Sequence, residues 1–370
     1  MVKEVKFFDY PIQFKELSHA YLRILENVLE SGCYILGPAV EEFENKFAEY
    51  VGAKYAIGVG NGTDAILLAL YSAGVGRGDE VVTVSHTFVA TVEAIKFVGA
   101  KPVFVDIAED HNMDVEQVKH ALTKRTKAVI PVQLNGRVCS GMEYLRDITE
   151  KYGIILIEDA AQAIGAKYKG KFAGTFGLAG CFSFYPAKVL GAFGDAGAIV
   201  TDDERIAKKL RKIRNHGRNS NGNVVALGMN SRLDSLHAAV LTYKLSMLDN
   251  SIKRRREIAR MYHEGLSDLP CLKLPPPPVD KSDHYDVYQN YEIEAESRDS
   301  LKKYCDKRGV ETALPWGGKG VHQFRSLGFY KVKLPRTENF FKEALMLPIY
   351  PQLTNEQVEY VIETIREFYL

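Results

Sequence analysis

The stretch Ile154-Ile-Leu-Ile-Glu158-Asp159-Ala-Ala-Gln162 decides the fold class. It opens on a continuous run of β-formers with no polar residue among them, the pattern of a strand covered on both faces in a parallel sheet. The run ends in two acids, and ligands of α/β sheets collect at the carboxyl ends of the strands. Asp159 is the better candidate to face such a ligand, and Glu158 is expected to point elsewhere. Upstream the same rhythm repeats. Residues 80–84 and 102–105 read as buried strands, the first followed by Ser85-His-Thr-Phe88 and a helix to residue 98, the second closed by Asp106. A strand at residues 127–131 and a helix at residues 143–152 then lead back to Ile154. Repeated strand–turn–helix units imply parallel strands with right-handed crossovers.

Downstream lies Cys181-Phe-Ser-Phe-Tyr-Pro-Ala-Lys188-Val-Leu-Gly-Ala-Phe-Gly-Asp-Ala-Gly197, a turn between apolar strands at residues 178–184 and 196–201. A lysine there is unusual, because an ammonium away from water is costly unless it is paired or used. Small neighbours (Ala187, Gly191, Ala192, Gly194) let a flat ligand come close. Taken alone, a turn lysine is most simply a surface residue; the acid upstream changes the reading. A carboxylate at a strand end and a lysine in a desolvated turn are the pair that pyridoxal phosphate needs. The carboxylate, Asp159, keeps the ring nitrogen protonated so that the ring can draw electrons. Lys188, its pKa lowered by desolvation, carries the aldehyde as a Schiff base.

Composition narrows the class. A chain of 370 residues exceeds one ordinary core, so a large and a smaller domain are expected. Its 46% hydrophobic and 26% charged residues are those of a soluble globular protein. A net charge of +1 gives no support for nucleic-acid or anionic-membrane binding. The five scattered cysteines fit a reducing compartment better than a disulfide framework. Met1-Val-Lys-Glu-Val-Lys-Phe lacks the apolar core of a signal peptide, and no run is long enough for a membrane span. A cytoplasmic location is therefore expected. Neither the histidines nor the cysteines show metal-ligand spacing, so no metal is expected.

Tyr55-Ala-Ile-Gly58-Val-Gly60-Asn61-Gly62-Thr63-Asp64 is a strand, a Gly-rich turn and a helix start. It superficially matches G-x-G-x-x-G, but the third glycine would fall on Thr63, so a dinucleotide fold is not favoured. Anion binding survives that objection: exposed amides at a helix start, with the Thr63 hydroxyl, form a phosphate cup.

Asp159-Ala-Ala-Gln162 together with Phe182-Ser-Phe-Tyr-Pro-Ala-Lys188 resembles the pyridoxal-phosphate-dependent nucleotide-sugar aminotransferases of the DegT/StrS type. The resemblance extends from Gly37-Pro38 to the closing helix. It implies the α/β architecture of fold type I: a large domain, residues 1–248, around a mostly parallel seven-stranded sheet flanked by helices, and a smaller α+β domain, residues 249–370. By the same resemblance Gly62, Thr63 and Ser183 hold the cofactor phosphate, Phe88 stacks on the ring, and Gln162 contacts the ring face or its hydroxyl. Asn230, in Asn230-Ser-Arg232, would reach across a homodimer to the partner's phosphate, so that active sites are shared. Tyr185 and His322, the latter in Trp316-Gly-Gly-Lys-Gly-Val-His322, are candidates for contact with the sugar. The family usually carries His-Leu-Tyr-Gly where this chain has Gln133-Leu-Asn135-Gly136, so roles for those two side chains do not transfer. The implied activity is transfer of the amino group of L-glutamate to a nucleotide-linked keto-6-deoxysugar, with a lean towards C-3 of a thymidine-linked 3-keto sugar. Such a product would serve surface polysaccharide (lipopolysaccharide, O-antigen) or glycoside biosynthesis. Two alternatives are a related sugar dehydratase, which carries histidine where Lys188 stands, and a non-catalytic regulatory protein that keeps the fold.

Overall fold

The apolar run at residues 154–157 becomes the strand Ile155–Asp159, the middle member of a seven-stranded sheet. The order across the sheet is Tyr55–Val59, Gly197–Thr201, Ala179–Ser183, Ile155–Asp159, Thr126–Val129, Glu80–Val84 and Lys101–Val105. Neighbours are parallel except where Gly197–Thr201 pairs antiparallel with both strands beside it. The architecture is α/β, as the strand–turn–helix rhythm implies. The computed structural model describes residues 4–279 and 281–370. Met1, Val2 and Lys3, the start of the stretch read against a signal peptide, lie outside the described residues. Among those described, no helix is long and apolar enough to cross a membrane.

The unbroken apolar pattern has a direct cause: both faces of the sheet are covered. Leu156 packs with Val82, Val129 and Phe182 under the helices Pro38–Val51, Met142–Tyr152 and Ser235–Leu245. Its neighbour Ile157 faces the other way, with Val81, Ala128 and Cys181, under Gly62–Ser72, Val89–Phe97 and Glu204–Ile213. Alternate residues of a strand point to opposite faces, so burying both requires every position to be apolar.

A second core lies beyond the sheet. It gathers Val5, Ile258, Tyr262, Ile293, Leu301, Leu345 and Val361. A small antiparallel sheet (Leu272–Lys273, Tyr291–Ala295, Ala344–Leu347) carries it, with the helices Arg298–Lys307 and Asn355–Tyr369. Residue 248, the expected domain boundary, is the first residue of the helix Leu248–Leu266. Leu248 and Ile252 of that helix belong to the first core, and Ile258, Ala259, Tyr262 and Leu266 to the second.

Several elements are interrupted along the chain. Residues 15–30 form the end of one short helix, Tyr10–Lys15, and most of a second, Ser18–Ser31. The helix after Asp234 stops at Leu245 and a new one begins at Leu248. Asp234 stands at the N-cap position without a side-chain capping bond; its backbone is instead bridged to Ile35. The strand Tyr291–Ala295 starts only after Tyr288, whose left-handed conformation (φ 50°) breaks the pleat.

Asp106, which closes the edge strand of the large sheet, fastens the two cores together. Its Oδ1 accepts from the Thr337 N–H (2.9 Å) and hydroxyl (2.6 Å), and its Oδ2 accepts from the Arg336 N–H (2.9 Å). It thus caps the first turn of the helix Pro335–Glu343 from another part of the chain, where amides lack intrahelical partners. Replacing Asp106 with Ala should lower the unfolding free energy by about 1–3 kcal/mol, the cost of a lost cap with buried donors left unpaired. Urea unfolding reads this directly; a midpoint equal to that of the parent chain would refute the capping role.

Candidate active site

A cavity of about 560 Å³ opens at the carboxyl ends of the sheet strands, where α/β folds place their ligands. Asp159 ends one strand and Ser183 the next, while Thr87 and Phe88 follow a third. The other wall comes from later in the chain: Gln289, Asn290, Pro315, Trp316 and Met346.

Asp159 is nearly buried (5% exposed). Its Oδ2 accepts from the Thr91 hydroxyl at 2.7 Å, and its Oδ1 from the Ala161 N–H at 3.2 Å. Thr91 is itself paired at 2.7 Å to Thr87, four residues earlier and just before the helix that carries Thr91. Burial pushes the carboxyl up, while Thr91, Ala161 and the charge of Lys188 act to keep it ionised. Glu158 points away, as expected. It is buried under the sheet and accepts from Gln133 Nε2 (2.7 Å), Gly174 N–H (2.9 Å) and Phe176 N–H (2.5 Å), so it holds a structural turn. Gln133, which departs from the resembled pattern, thus serves that turn.

Lys188 lies in the turn between two sheet strands and lines the cavity. The residue as a whole is half-buried, with its amine in the desolvated part of the cleft. Desolvation lowers the amine to about 8, against the pull of Asp159, which raises it. That value approaches the range in which a lysine works as a base.

Gly62, Thr63 and Ser183 form one end of the cavity. Asn61 caps the helix Gly62–Ser72 by accepting the Asp64 N–H on its side chain (2.8 Å) and the Ala65 N–H on its carbonyl (3.1 Å). The first-turn amides of Gly62 and Thr63 are left for a ligand, as an anion site requires. The cup is tight. A Cβ on Gly62 would lie 2.8 Å from Ser183 Cβ, and one on Gly197 would lie 2.5 Å from the Asn61 carbonyl. Glycine at 197 lets the strand pass close beneath this turn.

Phe88 lies at the N-cap of the helix Val89–Phe97 and is 56% exposed, a wall facing open space. The Trp316 ring sits 5.7 Å from it. Gln162 lines the cavity with its orientation set, because its Oε1 accepts from the Asn135 N–H at 2.9 Å. Tyr185 lines the rim, half exposed.

Two candidates lie outside the cavity. His322 is buried (2% exposed), with Nδ1 2.6 Å from Ser85 Oγ and Nε2 3.5 Å from Glu338. Ser85 Oγ also accepts the His322 backbone N–H at 3.0 Å. In this chain the His322 ring pins its loop to the sheet, and the side chain of that loop which lines the cavity is Trp316. Burial holds its pKa below the usual histidine range. Asn230 is exposed and does not line the cavity of its own chain. The next residue, Ser231, ties it to the phosphate cup, its hydroxyl accepting from the Gly60 N–H (3.0 Å) and donating to Asp64 (2.6 Å).

The residues that sequence reasoning missed are Thr91, Gln289 and Asn290. Thr91 had a legible signal in its spacing from Thr87; the two amides had only their oddity ahead of a buried strand. The fit to pyridoxal phosphate is good: a nearly buried carboxylate, a desolvated lysine, free helix-start amides and an aromatic wall border one cavity of suitable size. Thr91→Val should therefore weaken binding of pyridoxal phosphate by the cofactor-free protein roughly 10–100-fold, since it removes a hydrogen bond to a charged acceptor. A titration giving the parent affinity would rule out Thr91 as the support of Asp159.

The sequence profile of the DegT/DnrJ/EryC1/StrS aminotransferase family matches residues 16–366. A "Pleiotropic regulatory protein" of Geobacillus stearothermophilus is 44% identical, over 99% of this chain and 98% of that protein. The dTDP-3-amino-3,4,6-trideoxy-alpha-D-glucose transaminase of Micromonospora megalomicea subsp. nigra is 42% identical, over 97% of each chain. Among solved structures, DesV of S. venezuelae in complex with a ketimine intermediate superposes with a TM-score of 0.95 at 39% identity, covering 100% of this chain and 99% of that one. The Lys188–Asp159 cleft thus sits in a chain that is similar to such enzymes from end to end, and the chain belongs to the DegT/DnrJ/EryC1/StrS family of pyridoxal-phosphate-dependent aminotransferases.

Proposed function

We propose that this chain transfers the amino group of L-glutamate to a keto-6-deoxysugar carried on a nucleotide, at C-3 of a thymidine-linked 3-keto sugar. The observation that carries the reading is that the Lys188 amine and the Asp159 carboxylate line one cavity, both desolvated and each acting on the other's charge. Two kinds of support choose the sugar class. The cavity has an aromatic rim of Phe88, Tyr185 and Trp316, suited to a pyranose ring and a base. Relatives of closely similar length carry names of dTDP-3-amino sugar transaminases.

Pyridoxal phosphate supplies an aldehyde that takes up the amino group and a ring that draws electrons from the carbon being deprotonated. The residues of this chain do the rest. Gly62, Thr63 and Ser183 hold the phosphate, and Phe88 covers one face of the ring. Asp159, whose ionised form Thr91 and Ala161 favour against burial, would hold the proton on the ring nitrogen. Gln162, aimed by Asn135, meets the ring or its hydroxyl. With the cofactor bound, the Lys188 amine would be the base that takes the proton from the glutamate Cα and hands it back on the other side of the transfer. The keto-sugar then receives the amino group by the reverse sequence. An amine brought to about 8 is partly neutral near physiological pH, so it can both accept and release that proton.

The dimer belongs to the same reading. Asn230 projects from the base of a loop bridged at Asn215 and at Arg218–Val224, whose Val224, Val225 and Leu227 are 67%, 54% and 82% exposed. An apolar tip of this kind suits burial against a second copy, with Asn230 then serving the partner's phosphate. The compartment we assign is the cytoplasm, where the five free cysteines remain thiols.

A regulatory role is the second reading, favoured by the printed name of one relative. A protein that only regulates has no use for a desolvated lysine facing a paired carboxylate, and a dehydratase of this kind would lack Lys188. One experiment separates the three. The purified protein should show the visible absorbance of lysine-bound pyridoxal, lose it on addition of L-glutamate, and regain it with a nucleotide-linked 3-keto sugar. Lys188→Ala should abolish the band and turnover. Capture of the aldehyde by cofactor-free protein should rise with pH through about 8, because only the neutral amine attacks and protonation below that value removes it. A band unaffected by glutamate, or turnover surviving Lys188→Ala, would overturn the transaminase reading.

A further inference from the structure

The side chain of Gln289 spans the backbone on both sides of Lys188. Its Nε2 donates to the Ala187 carbonyl at 2.9 Å, and its Oε1 accepts from the Val189 N–H at 2.8 Å. One amide therefore fastens residues 187 and 189, and the residue between them is the lysine. Gln289 is 7% exposed, so neither bond competes freely with water. Its own backbone is held in turn. Its N–H donates to the Asn135 carbonyl at 3.0 Å, and the buried Arg255 guanidinium donates to the carbonyls of Tyr288, Gln289 and Ile349 at 3.0–3.3 Å. At the far end of the lysine turn, Lys244 Nζ donates to the Gly191 carbonyl at 2.6 Å.

We infer that Gln289 is a positioning residue for the Lys188 amine: an element of the second core sets where the reactive nitrogen of the first stands. The inference rests on the reading of Lys188 as the lysine that holds pyridoxal phosphate. A lysine side chain has a flexible four-carbon stem, so the amine can be placed only if its Cα is fixed and the cavity shapes the rest. Capture condenses the Lys188 amine with the cofactor aldehyde; a C=N bond forms and water leaves. The step requires the nitrogen within reach of the carbonyl carbon at the right angle, and errors of about 1 Å cost on the order of 100-fold in rate.

The test uses the full-length protein, freed of cofactor, and two variants. Gln289→Met keeps the length and removes both bonds; Gln289→Glu keeps an acceptor for the Val189 N–H and loses the donor to the Ala187 carbonyl. Each is mixed with pyridoxal phosphate, whose capture needs Lys188, and separately with pyridoxamine phosphate, which binds the same cavity without bonding to the lysine. In the Met variant, capture of pyridoxal phosphate should slow about 10–100-fold while affinity for pyridoxamine phosphate stays within about threefold, and the Glu variant should slow less. Loss of both ligands in parallel would mean that Gln289 only supports the cavity, and no loss of either would mean that it does not place the lysine; both outcomes overturn the inference. Should the Met variant not fold, the Glu variant decides by the same comparison. If the parent protein itself forms no lysine-bound chromophore, the functional reading falls instead, so the two failures are distinguishable.

Discussion

The structure depends on an amine and a carboxylate kept together in a cleft with little water. Lys188 and Asp159 each carry a desolvation cost that would favour the neutral form, and each lowers that cost for the other. Neither is stable there as a lone charge. The protein adds two hydrogen bonds to Asp159, from Thr91 and Ala161, and leaves the amine in reach of deprotonation. The result is an acid whose charge is supported by hydrogen bonds against burial, beside an amine brought down to about 8, where a lysine can serve as a base.

Everything around the pair fixes its geometry. The seven-stranded sheet brings the ends of distant segments together, with Asp159, Ser183 and Phe88 within one cavity. Glu158, next to the functional acid, is turned to the opposite face and anchors the loop at Gly174 and Phe176. The second core closes the cavity from above and is locked to the first at Asp106 and through His322, whose ring meets Ser85. The cleft is therefore a product of segments far apart in the chain, and Trp316 and Asn290 reach its wall only because the later segments pack against the sheet.

The legible parts of this molecule were those with a local physical cause. A strand buried on both faces leaves an apolar run with acids at its exit, and a lysine among glycines and alanines contradicts its surroundings. Asp159 and Lys188 could thus be found from sequence, as could the helix-start turn at Gly62 and Thr63. His322 could not be placed, because a histidine in a glycine-rich loop looks the same whether its ring meets a ligand or Ser85, 237 positions away. Gln289 was hidden for a similar reason: its partners lie 100 and 102 positions earlier, and nothing in its neighbours announces them. The break before Tyr291 escaped too, since Tyr288 is a good β-former that tertiary contacts hold in a left-handed conformation.

The central claim is that one particular lysine carries the cofactor. Reduction of the pyridoxal-loaded protein with borohydride makes that bond permanent, and peptide mapping by mass spectrometry then locates it. The account predicts a single pyridoxyl group, on Lys188. A pyridoxyl group on Lys244 or any other lysine, or none at all, would contradict it.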